Sequence, residues 1–229
     1  MNKGKIIALI LTFCMSFSAV AMAAELPPSD VGEGVAAWDN PFVDVSVEDW
    51  FFRSIEYAYT EKLFSGTEAD KFSPNKPLTR AMLVTVLGRM SGENVSGYES
   101  PGFTDVDGEA YYSDYVSWAY ASGIVTGVSE GLFAPDRDIS RQDLAVMLLR
   151  YAKYAGLESF AMNEKAAFTD ASDISEYAAE AVTAMQIAGV INGKPNGAFD
   201  SHGTASRAET ATMLHRFAIL FSDPALAVE

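Results

Sequence analysis

One pattern of residues occurs three times along this chain at nearly constant spacing, and it constrains the fold more than any other feature. Each copy opens with Phe-x-Asp, runs through an apolar stretch to a glycine and a phenylalanine, and ends in Thr/Ser-Arg before a second apolar stretch. The interval between equivalent positions is only slightly longer from the second copy to the third than from the first to the second. Such self-similarity predicts one supersecondary unit per copy, with the copies packed together.

Five sets of equivalent residues define the pattern. The start phenylalanines are Phe42, Phe103 and Phe168, and the start aspartates are Asp44, Asp105 and Asp170. The loop glycines are Gly66, Gly127 and Gly193, the loop phenylalanines are Phe72, Phe133 and Phe199, and the motif arginines are Arg80, Arg141 and Arg207. The interval from loop glycine to loop phenylalanine, and from there to the motif arginine, is identical in every copy. These positions predict repeats at about 42–92, 103–155 and 168–219.

The amino-terminal segment has the features of a secretory signal peptide. Lys3 and Lys5 precede an apolar run that ends in Ala21-Met22-Ala23, a small-residue cleavage site. The run is shorter than the ~20 residues that span a bilayer, so we expect cleavage and no membrane insertion afterwards. The sequence therefore predicts a signal peptide at 1–23 and, from its prolines and glycines, a linker at 24–41.

The charge of the mature chain excludes nucleic acids and anionic membrane surfaces as general partners. Removal of the signal peptide takes away Lys3, Lys5 and no acid, which changes the formal net charge from −15 to −17. Binding to a phosphate polymer requires clustered lysine and arginine. An anionic partner must therefore be bound by a few locally placed cations. Removal also deletes Cys14, the single cysteine, so packing without disulfides is expected to hold the mature fold.

Two helical stretches are predicted in each repeat from the spacing of apolar residues. The first stretches carry Ile55, Ala58, Tyr59 and Leu63; Val116, Ala119, Tyr120 and Ile124; and Val182, Met185 and Val190. The second stretches carry Leu83, Val86, Leu87 and Met90; Leu144, Met147, Leu148 and Tyr151; and Thr210, Met213, Leu214 and Phe217. A pair of amphipathic helices cannot bury its apolar faces alone. The predicted fold is all-α, with three helix-loop-helix repeats packed together.

The start of each second helix contains the candidate chemistry. A hydroxyl residue precedes each motif arginine as a helix N-cap, and Asp143 and Glu209 follow it three residues later, as in a capping box. Copy one has Met82 at that position. A cation at the first helical position is disfavoured by the helix dipole, which indicates a negative partner for each arginine. That partner is either a start aspartate or an external carboxylate or phosphate, held by the arginine and the helix N–H groups together. If the partner is an external anion, each arginine is expected to add little to the stability of the fold.

The repeats resemble the S-layer homology domain family. The resemblance rests on Phe42-Val43-Asp44-Val45 with Trp50, Phe72-Ser73-Pro74-Asn75 and Leu78-Thr79-Arg80-Ala81, and on the equivalent segments of the other copies, which end in Ile139-Ser140-Arg141 and Ser206-Arg207-Ala208-Glu209. It covers nearly all of the chain after the signal peptide and linker. The family motif ends in Thr-Arg-Ala-Glu, so Met82 and Gln142-Asp143 depart from it.

The resemblance implies a compact three-lobed module, in which the three helix-loop-helix repeats pack as a pseudo-three-fold helical bundle. One helix per repeat lies in the central bundle, and grooves lie between neighbouring repeats. It also implies a non-catalytic, secreted module of the cell wall or S-layer, which binds a secondary cell-wall polysaccharide that commonly carries pyruvate ketals. The motif arginines would bind the pyruvate carboxylate, and the loop glycines would let the sugar approach. We add the start aspartates to the candidate polysaccharide-binding residues. The alternative is a structural surface-layer protein in which the repeats mediate protein-protein assembly.

Three further sets of residues are assigned other roles. Trp50, Tyr111 and Tyr177, the pre-helix aromatics, are interpreted as core plugs or hydrophobic staples in preference to sugar-stacking platforms. Arg89, Arg150 and Arg216, the second arginines, are interpreted as partners of the helix dipole. Isolated histidines and an incomplete acidic loop at 105–108 predict no metal site, and no cofactor or catalytic constellation is predicted.

Overall fold

The computed structural model describes residues 38–157 and 167–222, and this part of the chain is helical. The helices are α1 (Phe52–Thr60), α2 (Arg80–Ser91), α3 (Ser113–Ala121), α4 (Arg141–Ala155), α5 (Glu176–Ile187) and α6 (Arg207–Ser222), with a short 3-10 helix at Ala171–Asp173. Within the described ranges, β-pairing is limited to isolated bridges between loops. The predicted all-α class is confirmed.

The predicted signal peptide and most of the predicted linker lie outside the described residues. The last linker residues already belong to the packed structure. The Trp38 ring lies 5.4 Å from that of Phe52, centroid to centroid, and the Asn40 amide donates to the carbonyl oxygen of Val45 at 2.7 Å. Ordered packing therefore begins before the first Phe-x-Asp.

The repeats pack as a closed ring. The second helix of each repeat packs against the first helix of the next, so that α2 contacts α3 and α4 contacts α5. The last repeat returns to the first, because α6 packs against α1. This pairing gives the predicted bundle its pseudo-three-fold arrangement.

Backbone hydrogen bonds close the same ring at its centre. Leu78 N donates to Ala205 O at 3.0 Å, Ile139 N to Leu78 O at 2.8 Å, and Ala205 N to Ile139 O at 3.2 Å. All three residues are fully buried. Each lies two positions before a motif arginine, so the ring fixes where every second helix begins.

The apolar positions predicted to face the core are mostly buried. In the second helices these positions are buried in α4 and α6, and in α2 all but Met90 are buried. Thr210 occupies the same stripe, and its hydroxyl donates to Ser206 O one turn earlier. In the first stretches, Tyr59 and Tyr120 are exposed while the other predicted core positions are buried. Thr210 fits the core because its hydroxyl is hydrogen-bonded within its own helix.

The first helices end in a left-handed residue, as predicted for Gly123 and Gly189, whose φ angles are 73° and 72°. Copy one has Lys62 there, with a φ of 58°. The conformation is therefore kept even where the residue is not glycine. It turns the chain so that Leu63 and its equivalents return to the core.

Candidate functional site

Each motif arginine crosses from its own repeat to the next. The arginines are buried at the starts of α2, α4 and α6, with 4%, 2% and 5% of their surfaces exposed. Their Nε atoms donate to the carbonyl oxygens of the loop phenylalanines of the following repeat: Arg80 to Phe133 at 3.0 Å, Arg141 to Phe199 at 2.7 Å and Arg207 to Phe72 at 2.8 Å. The arginines therefore join neighbouring repeats around the whole ring.

The same guanidinium groups lie over the rings of the loop phenylalanines. The distances from Cζ to the ring centroid are 4.9 Å for Arg80, 5.4 Å for Arg141 and 4.5 Å for Arg207. Arg207 also lies 5.2 Å from the ring centroid of Phe64. A buried cation over an aromatic face is stabilised by roughly 1 to 2 kcal/mol. The expectation that these arginines add little to stability is therefore wrong.

The remaining guanidinium nitrogens have different partners in the three repeats. Arg207 Nη2 donates to Ser65 O at 2.7 Å, and Arg141 Nη1 lies 3.1 Å from a carboxylate oxygen of Glu209. Arg80 Nη1 lies 4.0 Å from a carboxylate oxygen of Asp143. The acids nearest Arg80 and Arg141 are thus those three positions after the capping hydroxyl of the next repeat. No ion pair joins a motif arginine to a start aspartate within the described ranges.

Burial shifts the pKa values of Arg80, Arg207 and Glu209. It lowers the pKa of Arg80 and of Arg207 to about 10, although the charges of Asp143 and Asp44 respectively act in the opposite direction. Burial alone would raise the pKa of Glu209, but the Lys194 ammonium, the Ser206 N–H and Arg141 together hold it below its usual range. At neutral pH the arginines are cations and Glu209 is an anion.

The helix N–H groups are not free to bind an external anion. The first N–H groups of α2, α4 and α6 donate to Arg137 O, Gly203 O and Lys76 O, each from a neighbouring repeat, at 2.9 Å. The second N–H groups donate to carbonyl oxygens of the same loops, and the third donate to the capping hydroxyls. The prediction that helix N–H groups help to bind an external anion is therefore wrong. The guanidinium is the part of the predicted site that remains.

Only copy three completes the predicted capping box. The Ser206 hydroxyl accepts from Glu209 N, and Ser206 N donates back to the Glu209 carboxylate at 3.0 Å. In copy two, the Ser140 hydroxyl accepts from Asp143 N, but the shorter Asp143 side chain binds Arg137 and the Tyr177 hydroxyl. The prediction that the Asp143 carboxylate bonds back to Ser140 N is therefore wrong.

Two equivalent grooves lie between repeats, beside the motif arginines. Groove 1 has a volume of about 330 Å³, and groove 2 has a volume of about 690 Å³. Each is lined by the motif arginine of the preceding repeat, the loop glycine and second arginine of its own repeat, and a tyrosine of the following repeat. These residues are Arg207, Gly66, Arg89 and Tyr111 in groove 1 and Arg80, Gly127, Arg150 and Tyr177 in groove 2. The two grooves therefore have the same design.

The pre-helix aromatics are at the surface, so the prediction that they plug the core is wrong. Trp50, Tyr111 and Tyr177 are 62%, 61% and 60% exposed, and the two tyrosines line the grooves. The adjacent residue, Phe51 in copy one, enters the core instead. The recurrence of an aromatic residue at this position in every copy was the available sequence signal for the two groove tyrosines.

The second arginines also contribute to the grooves. Arg89 Nη1 donates to Leu63 O at 3.0 Å, and both Arg89 and Arg150 line grooves. Arg216 Nε is buried without a hydrogen-bond partner in the described part of the chain. The predicted role as a partner of the helix dipole is wrong for Arg150 and Arg216, which lie before the last turns of α4 and α6, and fits Arg89, which lies in the last turn of α2. Arg89 and Arg150 each place a second cation in a groove.

The loop glycines are required by packing inside their own repeat. A Cβ atom on Gly66 would lie 2.6 Å from Glu68 O and 2.9 Å from Phe42 Cε1, and one on Gly127 would meet equivalent atoms at 2.8 and 3.0 Å. Gly193 is as crowded and has a φ of 77°. Sugar approach, the role implied by the family resemblance, remains a separate proposal.

The start aspartates clamp the loops that carry the phenylalanines. Each carboxylate accepts two backbone N–H bonds of 2.7 to 2.8 Å, from the loop phenylalanine and from the residue after it. The residues after it are Ser73, Ala134 and Asp200, which are left-handed with φ of 57°, 58° and 61°. These bonds hold an unfavourable backbone conformation in place. They also fix the carbonyl oxygens that the motif arginines bind.

Metal and membrane sites are not found among the described residues. No cluster of three or more histidine, cysteine or acidic side chains is arranged to bind an ion in residues 38–157 and 167–222. Over the same ranges, no helix has the length and apolar character needed to cross a bilayer.

Comparison with known protein families identifies one matching domain model, the S-layer homology domain. It matches three times, at residues 41–81, 102–145 and 167–211. These three matches coincide with the three repeats and together cover more than half of the chain.

Known proteins with similar sequences are much longer than the matching region. An endoglucanase of Bacillus sp. (strain KSM-635) is 33% identical over 76% of this chain, and an amylopullulanase of Thermoanaerobacterium thermosulfurigenes is 28% identical over 78%. An S-layer protein of Bacillus anthracis is 29% identical over 52% of this chain. The matches cover 18%, 9% and 14% of those proteins, respectively. The similarity therefore lies in a part that proteins of different activities share.

Proposed function

The chain belongs to the S-layer homology family, and on that basis we propose that its three repeats form a non-covalent cell-wall anchoring module. Its location is the cell surface, in the wall or the S-layer. The ligand is an anionic secondary cell-wall polysaccharide, which enters the grooves between repeats. The module itself has no catalytic role, although some relatives named as enzymes carry the same repeats.

The observation that carries this proposal is that two of the motif arginines, Arg80 and Arg207, both hold neighbouring repeats together and line a groove. Nε is bound to a carbonyl oxygen of the next repeat, which fixes the position of the guanidinium. For Arg80 and Arg207, the rest of the group lines a groove. A guanidinium held in this way loses little further conformational entropy when it binds a carboxylate.

The surroundings of the arginines fit a sugar that carries a carboxylate. Each groove has at least two arginines for the anion and a largely exposed tyrosine for the apolar face of a sugar ring. A pyruvate ketal carries one carboxylate on a ketal ring that is fused to the sugar ring. This combination of a carboxylate and a sugar ring matches the arginines and the tyrosine of each groove. Because the whole chain is strongly acidic, these local cations also restrict anion binding to the grooves.

A wall-binding assay tests this proposal. Purified wall should retain the protein, and chemical removal of its polysaccharide should abolish retention, because the grooves lose their ligand. Retention by stripped wall, or self-association without any sugar, would contradict anchoring and favour the alternative of protein-protein assembly.

A further inference from the structure

The repeats differ at one position beside the grooves, three positions after the capping hydroxyl. This position is occupied by Met82, Asp143 and Glu209 in repeats one, two and three. It lies in the first turn of the second helix, next to the motif arginine of the preceding repeat. The residue there decides whether the protein itself supplies an anion to that arginine.

In repeat three, a carboxylate already occupies the cations. One oxygen of Glu209 lies 3.1 Å from Arg141 Nη1 and 2.6 Å from Lys194 Nζ, and the other accepts from Ser206 N. The Glu209 side chain is mostly buried, so solvent screens these contacts weakly. An external carboxylate has to compete with this internal one.

Repeat two is intermediate. Asp143 lies 3.2 Å from Arg137 Nη2 and 4.0 Å from Arg80 Nη1, and it accepts a hydrogen bond from the Tyr177 hydroxyl at 2.8 Å. Asp138 also lines groove 2. The three arginines of this groove are therefore offset by two carboxylates.

Groove 1 has cations without an internal acid. Its lining includes Arg207, Lys76 and Arg89, and it includes no aspartate or glutamate. Met82 lines the groove at the position of Asp143 and Glu209. Arg207 Nε and Nη2 donate to carbonyl oxygens. Arg207 Nη1 has no acceptor within the described part of the chain.

We infer that groove 1 is the strongest carboxylate-binding site of the module. Met82 makes it so, because it places no carboxylate beside Arg207 at the position from which Asp143 and Glu209 face Arg80 and Arg141. This inference rests on the proposed function, and it ranks the grooves that the proposed function treats alike. The expected order of affinity for a carboxylate-bearing sugar is groove 1, then groove 2, then the corresponding surface of repeat three.

Calorimetric titration of the intact protein tests the inference with a pyruvylated hexose glycoside as the probe and its uncharged methyl ester as the control ligand. Met82→Glu should weaken binding of the charged probe by about 10-fold or more, because a charge-assisted contact is then made internally. Met82→Gln has the same length without the charge, so the difference in affinity between the two variants measures the effect of the added charge.

Folding does not explain the expected loss. Glutamate at position 82 can accept from Thr79 N, as Glu209 accepts from Ser206 N, so Met82→Glu should melt no lower than the parent protein. Asp143→Asn tests the same rule with the opposite sign, because it removes an acid from groove 2 and should tighten a weaker site severalfold. This second variant keeps the test valid even if Met82→Glu does not fold.

Equal binding by Met82→Glu and Met82→Gln would overturn the inference, and so would unchanged weak-site affinity in Asp143→Asn. Failure of the proposed function looks different. In that case the parent protein binds neither the charged probe nor the wall polysaccharide, or it binds the methyl ester as tightly as the acid.

Discussion

Each motif arginine donates to a backbone carbonyl oxygen of the next repeat, and Arg80 and Arg207 also line a groove. Arg207 illustrates this, because it donates to Phe72 O and Ser65 O, which belong to a repeat far earlier in the chain. The carbonyl partners have no residue-type signature in a sequence. The recurring arginine and its conflict with the helix dipole indicated a partner, but the partner's identity required the packing of distant repeats.

Arg207→Ala should lower the free energy of unfolding by about 2 to 4 kcal/mol, because it leaves two carbonyl oxygens unpaired and removes packing from two rings. Urea denaturation measures this change. Arg53→Ala is the control, since Arg53 is exposed and contacts Glu56 and the Phe52 ring, which both belong to its own helix. An equally small effect of both substitutions would contradict a cross-linking role for Arg207.

Gly66→Ala should destabilise the protein by about 1 to 3 kcal/mol, because its Cβ would overlap Glu68 O and Phe42. Gly108→Ala is the matched control, since nothing lies within 4 Å of a Cβ there and its φ is not left-handed. Thermal melting of the two variants separates internal crowding from a general effect of losing glycine. A stable Gly66→Ala protein that loses only wall binding would assign the glycine to the sugar instead.

Pairs of helices hold the repeats together, and the contact between α1 and α6 contains a buried histidine. α1 and α6 meet where the His215 ring stacks on the Tyr57 ring, with 4.5 Å between centroids. Burial lowers the pKa of His215 from 6.5 to about 4, and the charge of Arg216 acts in the same direction, against that of Glu56. The amphipathic periods predicted these helices, but they did not indicate that the last helix packs against the first.

His215 should make the α1 and α6 contact sensitive to acid. The unfolded chain binds a proton near pH 6.5 and the folded protein only near pH 4, so stability falls as the pH drops through this window. The loss should reach about 2 to 3 kcal/mol. His215→Phe keeps a ring on Tyr57 and should remove this component from urea denaturation curves at successive pH values. A pH dependence that is the same in His215→Phe as in the parent protein would contradict this role of His215.

The three repeats form a closed ring, which the family resemblance implied and which the linear pattern alone could not reveal. Three repeats at constant spacing are compatible with an open solenoid as well as with a ring. The ring follows from the contacts of repeat three with repeat one: α6 on α1, Leu78 N on Ala205 O, and Arg207 on Phe72 O. Groove 1 depends on this closure, because its motif arginine comes from the last repeat.

Removal of repeat three should therefore unfold more than the residues deleted. A chain that ends at residue 157 leaves α1 without α6 and the loop of Phe72 without Arg207. We expect loss of a cooperative thermal transition, followed by circular dichroism. A sharp transition with retained helicity would instead indicate that two repeats fold independently of the ring.

More than one groove should bind a single polymer. The second contact is then intramolecular, so polysaccharide fragments should bind about 100-fold more tightly than the single pyruvylated sugar. Titrations with fragments of increasing length measure this ratio. Equal affinity for the longest fragment and the single sugar would indicate that one groove works alone.

The most direct measurement is a crystal structure of the protein with the pyruvylated sugar bound. Anchoring through the grooves predicts the carboxylate within hydrogen-bonding distance of Arg207 in groove 1, with Nε still bound to Phe72 O and the sugar ring near Tyr111. A sugar bound away from the motif arginines, or a groove arginine that contacts only protein atoms while the sugar is bound, would contradict it.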